Sequence, residues 1–288
     1  TALMAACIHG HSDVVQLLLN HSGTKGNIEL NAKDDYGKTG FMNACLNGHT
    51  DVVQLLLNYS GIDLNARDNY GSTAIMIACS LGHKDVVQSL LAHSRIELNA
   101  QDDVGLTAFM EACRCGHKDV VQVLLDHSEG NIELNARNED GKTAFLFACD
   151  NGHKDVVKLL LEHSEGNIEL NARDDFGQTA FMLACESGHK DVVQLLLSYP
   201  EIVLNARDEN GSTAFMFACY KGQKDVVQLL TNCSNIDLNV PDVDGYTPFM
   251  EACRGGHRDG VQLLLDHSEG NIEVNARDEN GSTAFMFA

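Results

Sequence analysis

The chain has no stretch of about 18 consecutive apolar residues, which excludes a membrane-spanning helix. It is also poor in positive charge. Twenty Lys and Arg stand against 41 Asp and Glu, a formal net charge of −21. That balance argues against nucleic acid or an anionic membrane surface as a partner, because both call for a basic face. It favours basic partners and association that weakens with salt. No Ser/His/Asp set, glycine-rich phosphate loop or metal-spaced carboxylate cluster stands out, so neither catalysis nor a cofactor is expected. No signal peptide is visible. The first residue is Thr1, already at the start of a helix, as expected of a piece of a longer array.

What the chain has instead is repetition. Residues 205–218 and 275–288 both read NARDENGSTAFMFA. Thr-x-x-x-x-x-Cys, or a close variant, recurs at Thr1, Thr39, Thr73, Thr107, Thr143, Thr179, Thr213 and Thr247, and a ninth copy begins at Thr283. The spacings are 38, 34, 34, 36, 36, 34, 34 and 36 residues. The differences fall in one place. Short units read YSGIDLN (59–65) or HSRIELN (93–99); longer ones read HSEGNIELN (127–135, 163–171) and HSGTKGNIELN (21–31). Segments that tolerate such changes are expected to be surface loops.

Residues 68–101 show what one unit should form. Asp68-Asn69-Tyr70-Gly71 is turn chemistry. Thr73 supplies an N-cap hydroxyl for a short apolar helix through Cys79, and Gly82 suits the left-handed residue after a helix. Asp85 opens a second helix whose apolar stripe is Val86, Val87, Leu90 and Leu91. Neither helix is long enough to stand alone. Stacked neighbours supply the missing partner surface, so residues 1–288 are expected to form one array rather than two globular domains.

The pattern D-x-x-G-x-T-A-F-M-x-A-C-x-x-G-H-K-D-V-V-Q-L-L-L…L-N-A-R resembles the ankyrin repeat across essentially the whole chain. The resemblance implies an all-α solenoid of helix-turn-helix units with β-hairpin-like loops. It also implies a non-catalytic scaffold that binds a partner protein through its hairpin tips and concave helix face. Two other readings are a regulatory or targeting arm of a larger enzyme or channel, and a spacer or spring. The departures are regular: Thr-Ala-Phe-Met stands where the family usually has Thr-Pro-Leu-His, with Pro only at Pro248, and Ala-Cys replaces Ala-Ala. The Met removes a polar group near the hairpin base, so the hydrogen bonding there should differ.

Several ladders invite a chemical reading. Eight cysteines, Cys7, Cys45, Cys79, Cys113, Cys149, Cys185, Cys219 and Cys253, share one slot after a buried Ala and read as small core residues, with Cys115 and Cys233 as extras. Unpaired thiols at this density suggest a reducing compartment, cytoplasm or nucleus. The Gly-His slot, with Gln223 as its exception, reads as a polar tie between adjacent loops; one histidine per unit cannot put three ligands on one metal ion. Two basic ladders, from Lys33 to Arg277 and from Lys84 to Arg258, read as solvated. Asn31, Asn65, Asn99, Asn135, Asn171, Asn205, Asn239 and Asn275 read as side chains bracing their own turns. In the family this chain resembles, the slot can be a target of an asparaginyl hydroxylase, which makes each of them a candidate position for that modification.

Positions that vary between units are free to encode a partner. At the tips these include Tyr36, Tyr70, Val104, Leu106, Phe176 and Tyr246; at the end of the first helix, Leu81, Arg114, Tyr220 and Arg254. Tyr36, Tyr70, Val104 and Leu106 are expected to form an exposed apolar strip inside an acidic surround, suited to a basic or amphipathic segment of another protein. Gln223, Thr231, Cys233, Val240-Pro241 and Gly260 break the framework and mark the expected soft spot.

Overall fold

The computed structural model describes residues 1–21, 28–127, 132–163, 168–266 and 272–287. Segments 22–27, 128–131, 164–167 and 267–271, where the insertions fall, lie outside the described residues, as does residue 288. The chain gathers into two compact units, residues 1–139 and 140–288. The first holds α1 (Ala2–Ile8), α2 (Ser12–His21), α3 (Gly40–Leu46), α4 (Thr50–Leu57), α5 (Ala74–Ser80), α6 (Lys84–Leu91), α7 (Ala108–Arg114) and α8 (Lys118–Leu125). The second holds α9 (Ala144–Asp150), α10 (Lys154–Glu162), α11 (Ala180–Glu186), α12 (Lys190–Leu196), α13 (Ala214–Tyr220), α14 (Lys224–Thr231), α15 (Pro248–Arg254) and α16 (Arg258–Asp266), then a 3₁₀ turn at Ala284–Met286. Within each unit the odd-numbered helices stack on one another in chain order, and the even-numbered ones form a second layer beside them.

The odd-numbered helices are seven residues long and almost wholly buried. Phe41, Phe109, Phe145, Phe181 and Phe215 each lie fully inside, where burial of one such side chain stabilises by about 1.5–3 kcal/mol. Each helix opens on its threonine. Thr39 Oγ1 accepts from the Met42 N–H at 3.2 Å, and Thr107 Oγ1 from Met110 N–H at 3.2 Å. The methionine beside the cap compensates for the missing polar residue. The backbone N–H of Thr73, Thr179 and Thr213 donates to the sulfur of Met76, Met182 and Met216 at 3.3, 3.4 and 3.4 Å. A thioether is a weak acceptor, yet it fills the reciprocal half of a capping box from inside the core.

Three sets of side chains tie each repeat to the next. The first is histidine. The Nε2–H of His49, His83, His117 and His189 donates to the carbonyl of Ile8, Leu46, Ser80 and Asp150 at 2.9, 3.0, 2.9 and 2.8 Å. Gln223 Nε2 makes the same bond to the Glu186 carbonyl at 2.8 Å, so the sequence exception is no exception in structure. The glycine of the preceding repeat lets the ring approach. Gly82 has φ +74°, and a Cβ there would meet the His117 ring at 2.6 Å.

The asparagines differ from expectation. Asn31, Asn65, Asn171 and Asn205 reach into the next loop. Asn65 Nδ2 donates to the Arg95 carbonyl at 2.8 Å while its Oδ1 accepts from the Glu97 N–H at 3.0 Å, and Asn31, Asn171 and Asn205 repeat the pair. An amide at the end of one loop thus reaches both a carbonyl and an N–H of the next. The first basic ladder is exposed, as expected of solvated side chains, and also bonds forward. Lys33, Arg67, Arg173 and Arg207 donate to the carbonyls of Arg67, Gln101, Arg207 and Pro241, one repeat onward. The second ladder is exposed at Lys84, Lys118, Lys154, Lys190, Lys224 and Arg258.

Among the described residues the tips form no regular strand; Lys33–Thr39 and Arg173–Thr179 are isolated antiparallel bridges. The irregular stretch in the second unit keeps its framework. Thr231 is buried and its hydroxyl donates to the Gln228 carbonyl at 3.1 Å. Gly260 lies buried inside α16, and a Cβ there would make ordinary van der Waals contact with His257 Cβ at 3.9 Å.

Candidate functional site

Except at residues 138–142, where Asn138 holds the slot, each hairpin tip is built by an aspartate. Asp34 Oδ1 accepts from the N–H of Tyr36 at 3.0 Å and of Lys38 at 2.8 Å, and Gly37 turns the chain at φ +77°. Asp68, Asp102, Asp174, Asp208, Asp242 and Asp278 repeat the arrangement. Consecutive tips are joined by one backbone bond. Asn69 N–H donates to the Tyr36 carbonyl at 3.0 Å, Asp103 N–H to Tyr70 at 3.1 Å and Glu139 N–H to Val104 at 3.1 Å. The residue before each tip glycine is thereby held outward on a braced backbone.

In the first unit this brings Tyr36, Tyr70 and Val104 onto three successive tips, 64 %, 64 % and 50 % exposed. Lys38 lies between the two tyrosines. Its Nζ is 5.6 Å from the Tyr36 ring centre and 6.0 Å from that of Tyr70, and pairs with Asp68 Oδ2 at 3.1 Å. Leu106 does not join the strip: it is only 9 % exposed. The slot after the tip glycine turns inward, and Lys38, Leu106, Lys142 and Tyr246 are all buried or half-buried there. Leu81 is exposed at the end of α5. Arg114 is half-buried at the end of α7, with Nη2 2.7 Å from Glu111 Oε2.

In the second unit Phe176 is exposed on its tip. Tyr220, Tyr246 and Arg254 converge: the Arg254 guanidinium carbon is 5.1 Å from both ring centres, a cation held between two tyrosine faces. Val203 and Val243 are among several exposed apolar side chains that were not expected contacts, with Val14, Leu17, Leu265, Phe285 and Met286. Val243 had a signal in the sequence. The slot two before the tip glycine is Asp, Asn or Glu in every other repeat, at Asp35, Asn69, Asp103, Glu139, Asp175, Glu209 and Glu279.

The cysteine slot holds no reactive site. Eight of the ten free thiols are buried, Cys115 and Cys233 being the half-buried pair. Burial pushes Cys7 up to about 12 and raises Cys45, Cys79, Cys149, Cys185 and Cys219 as well, with Glu111, Asp150 and Glu251 adding to the rise at Cys79, Cys149 and Cys219. Among the described residues no three His, Cys, Asp or Glu groups gather as metal ligands, and no helix is long and apolar enough to cross a membrane. Of the asparagine ladder, Asn31, Asn171, Asn205 and Asn275 are exposed, while Asn65, Asn99, Asn135 and Asn239 are half-buried. Where Nδ2 and Oδ1 are both engaged, a modifying enzyme would first have to pull the bridged loops away from each other.

A family model of three ankyrin repeats matches residues 1–68, 63–138, 94–174, 130–208, 162–242 and 216–288, successive placements that cover the chain. The chain belongs to the ankyrin-repeat family. Ankyrin repeats generally mediate protein–protein interaction and are typically non-catalytic. No curated protein matches this ankyrin chain.

Proposed function

We propose that this ankyrin array is a non-catalytic scaffold that binds a partner protein through its hairpin tips and the adjoining ends of the first helices. In this reading all 288 residues serve as one binding array. The observation that supports it most is the pair Tyr36 and Tyr70, both 64 % exposed, on consecutive tips locked to each other by a backbone bond and by Lys38 between their rings. Large rigid aromatics lose little conformational entropy on contact, and tyrosine is a favoured anchor. The partner segment is basic or amphipathic. A net charge of −21 attracts it, and tyrosine and valine supply the apolar contact.

The test is capture of partners from source-cell lysate by the parent chain and by Tyr36→Ser/Tyr70→Ser/Val104→Ser, at low and at physiological salt. These side chains are exposed, so circular dichroism should be unchanged. A basic protein held by the parent and lost by the variant is the expected result. Equal capture by both would overturn the role of the tips.

A further inference from the structure

The motif Glu-Ala-Cys-Arg occurs twice, at 111–114 and 251–254, in two different settings. In the first, Ser80 and Leu106 occupy the slots that Tyr220 and Tyr246 hold in the second, and Arg114 closes on Glu111 at 2.7 Å. In the second, Arg254 is held between the tyrosine rings and lies 3.2 Å from Glu251. Arg254 lines a cavity of about 250 Å³ together with Met216, Phe217, Tyr220, Asp242, Asp244 and Glu251.

We propose that this cavity accepts one cationic side chain, arginine or lysine, from a basic segment of a partner protein. The inference rests on reading the chain as a protein-binding array and assigns a specific chemistry to one place in it. Three carboxylates face one guanidinium, so the site is short of positive charge. Glu251 is 7 % exposed. Burial raises its pKa, the Arg254 charge opposes that, and the charge of Asp242 raises it again. A second cation would relieve the repulsion between Glu251 and Asp242. The volume falls below the roughly 300–1,000 Å³ of small-molecule pockets, which suits a single side chain. The carboxylates do not gather as a metal-ligand set. One wall is Met216, Phe217 and Tyr220, the surface an aliphatic stem needs while its charged end meets carboxylates.

Methyl NMR of the whole chain, labelled at its eight methionines, tests this. The probes are N-acetyl-arginine methylamide, its lysine counterpart, and its citrulline counterpart, which keeps the shape and loses the charge. The Met216 methyl is expected to shift saturably with the arginine or lysine probe and not with citrulline. Met76, in the matching slot of the repeat where Leu106 stands in place of Tyr246, should stay still. Asp244→Asn/Glu251→Gln should weaken the response roughly tenfold or more. Asp244→Asn alone alters only an exposed tip and should weaken it in the same direction. Equal shifts with citrulline, Met76 moving alongside Met216, or parent-like binding by Asp244→Asn would each overturn the proposal. A still Met216 with capture that depends on Tyr36 and Tyr70 removes the cavity and leaves the protein-binding reading standing. A responsive Met216 with capture indifferent to the tips does the reverse.

Discussion

Replacing Gly152 by alanine should cost more than replacing Gly256, although both have nearly the same backbone conformation. Gly152 has φ +72° and Gly256 φ +70°, so each alanine carries the left-handed penalty of about 1–2 kcal/mol. The surroundings differ. A Cβ on residue 152 would stand 2.5 Å from His189 Nδ1, whereas nothing lies within 4 Å at residue 256. The imidazole must therefore move, and its Nε2–H bond to the Asp150 carbonyl, 2.8 Å in the parent, is lost or bent. That adds about 0.5–1.5 kcal/mol, more if the carbonyl stays buried without a donor. Urea unfolding followed by circular dichroism reads the difference. With m about 2 kcal/mol/M, an extra 1 kcal/mol lowers the midpoint by about 0.5 M relative to Gly256→Ala. His189→Ala gives the complementary arm of a double-mutant cycle. The Gly152→Ala/His189→Ala protein should lose less than the two single changes added, because the second change removes the side chain the first collides with. Equal midpoints for Gly152→Ala and Gly256→Ala, or strict additivity in the cycle, would refute the claim that each glycine serves as a shelf for the next repeat's histidine.

Gly260→Ala should raise the urea midpoint, since it removes a helix-interior glycine worth about 1 kcal/mol and the new methyl meets only an unstrained contact, His257 Cβ at 3.9 Å. Asn65→Ala should cost about 0.5–1.5 kcal/mol, because it removes bonds to the Arg95 carbonyl and the Glu97 N–H that water can only partly replace; an unshifted transition would contradict the tie. Ellman's reagent on the folded protein should modify Cys115 and Cys233 first and reach the eight buried thiols only as denaturant is added; early labelling of Cys149 would argue against the packed slot. Burial raises the pKa of Asp174, so the native state binds that proton more tightly than the unfolded chain, and the carboxyl's contribution to stability falls as pH rises through its native pKa. Asp174→Asn keeps an oxygen for the N–H groups of Phe176 and Gln178, so its stability relative to the parent should improve from pH 3 to pH 7, taken as a roughly four-unit window by chemical denaturation at each end.

The fold was legible because its signals are local and repeated. The cap threonine, the glycine after the first helix and the Val-Val-x-x-Leu stripe each name an element, and several copies agree. The ties between repeats were less legible. Asn65 and Arg67 carry side chains that would suit their own turns, and only the geometry shows that both reach the next loop, Arg67 while also holding its own Gly71 carbonyl. Leu106 was misplaced for a related reason: the residues on the two sides of a tip glycine face opposite ways, which a comparison of variable positions does not reveal. Val243, by contrast, was readable as the one apolar residue in an otherwise polar slot. The convergence of Tyr220, Tyr246 and Arg254 joins two repeats, and no single unit announces it.

The ties also bear on how such a chain can change length over generations. His117 finds the carbonyl that closes α5 and His83 the one that closes α3. Excising residues 73–106 would set His117 against the Leu46 carbonyl in the place His83 left. The loop amide of Asn65 would then meet the Glu133 N–H, which Asn99 now holds at 3.0 Å. Each broken tie is remade with the same kind of bond, so a recombination event that drops or duplicates a whole unit never has to invent an interface. Residues 205–218 and 275–288, alike letter for letter, are what such copying leaves behind.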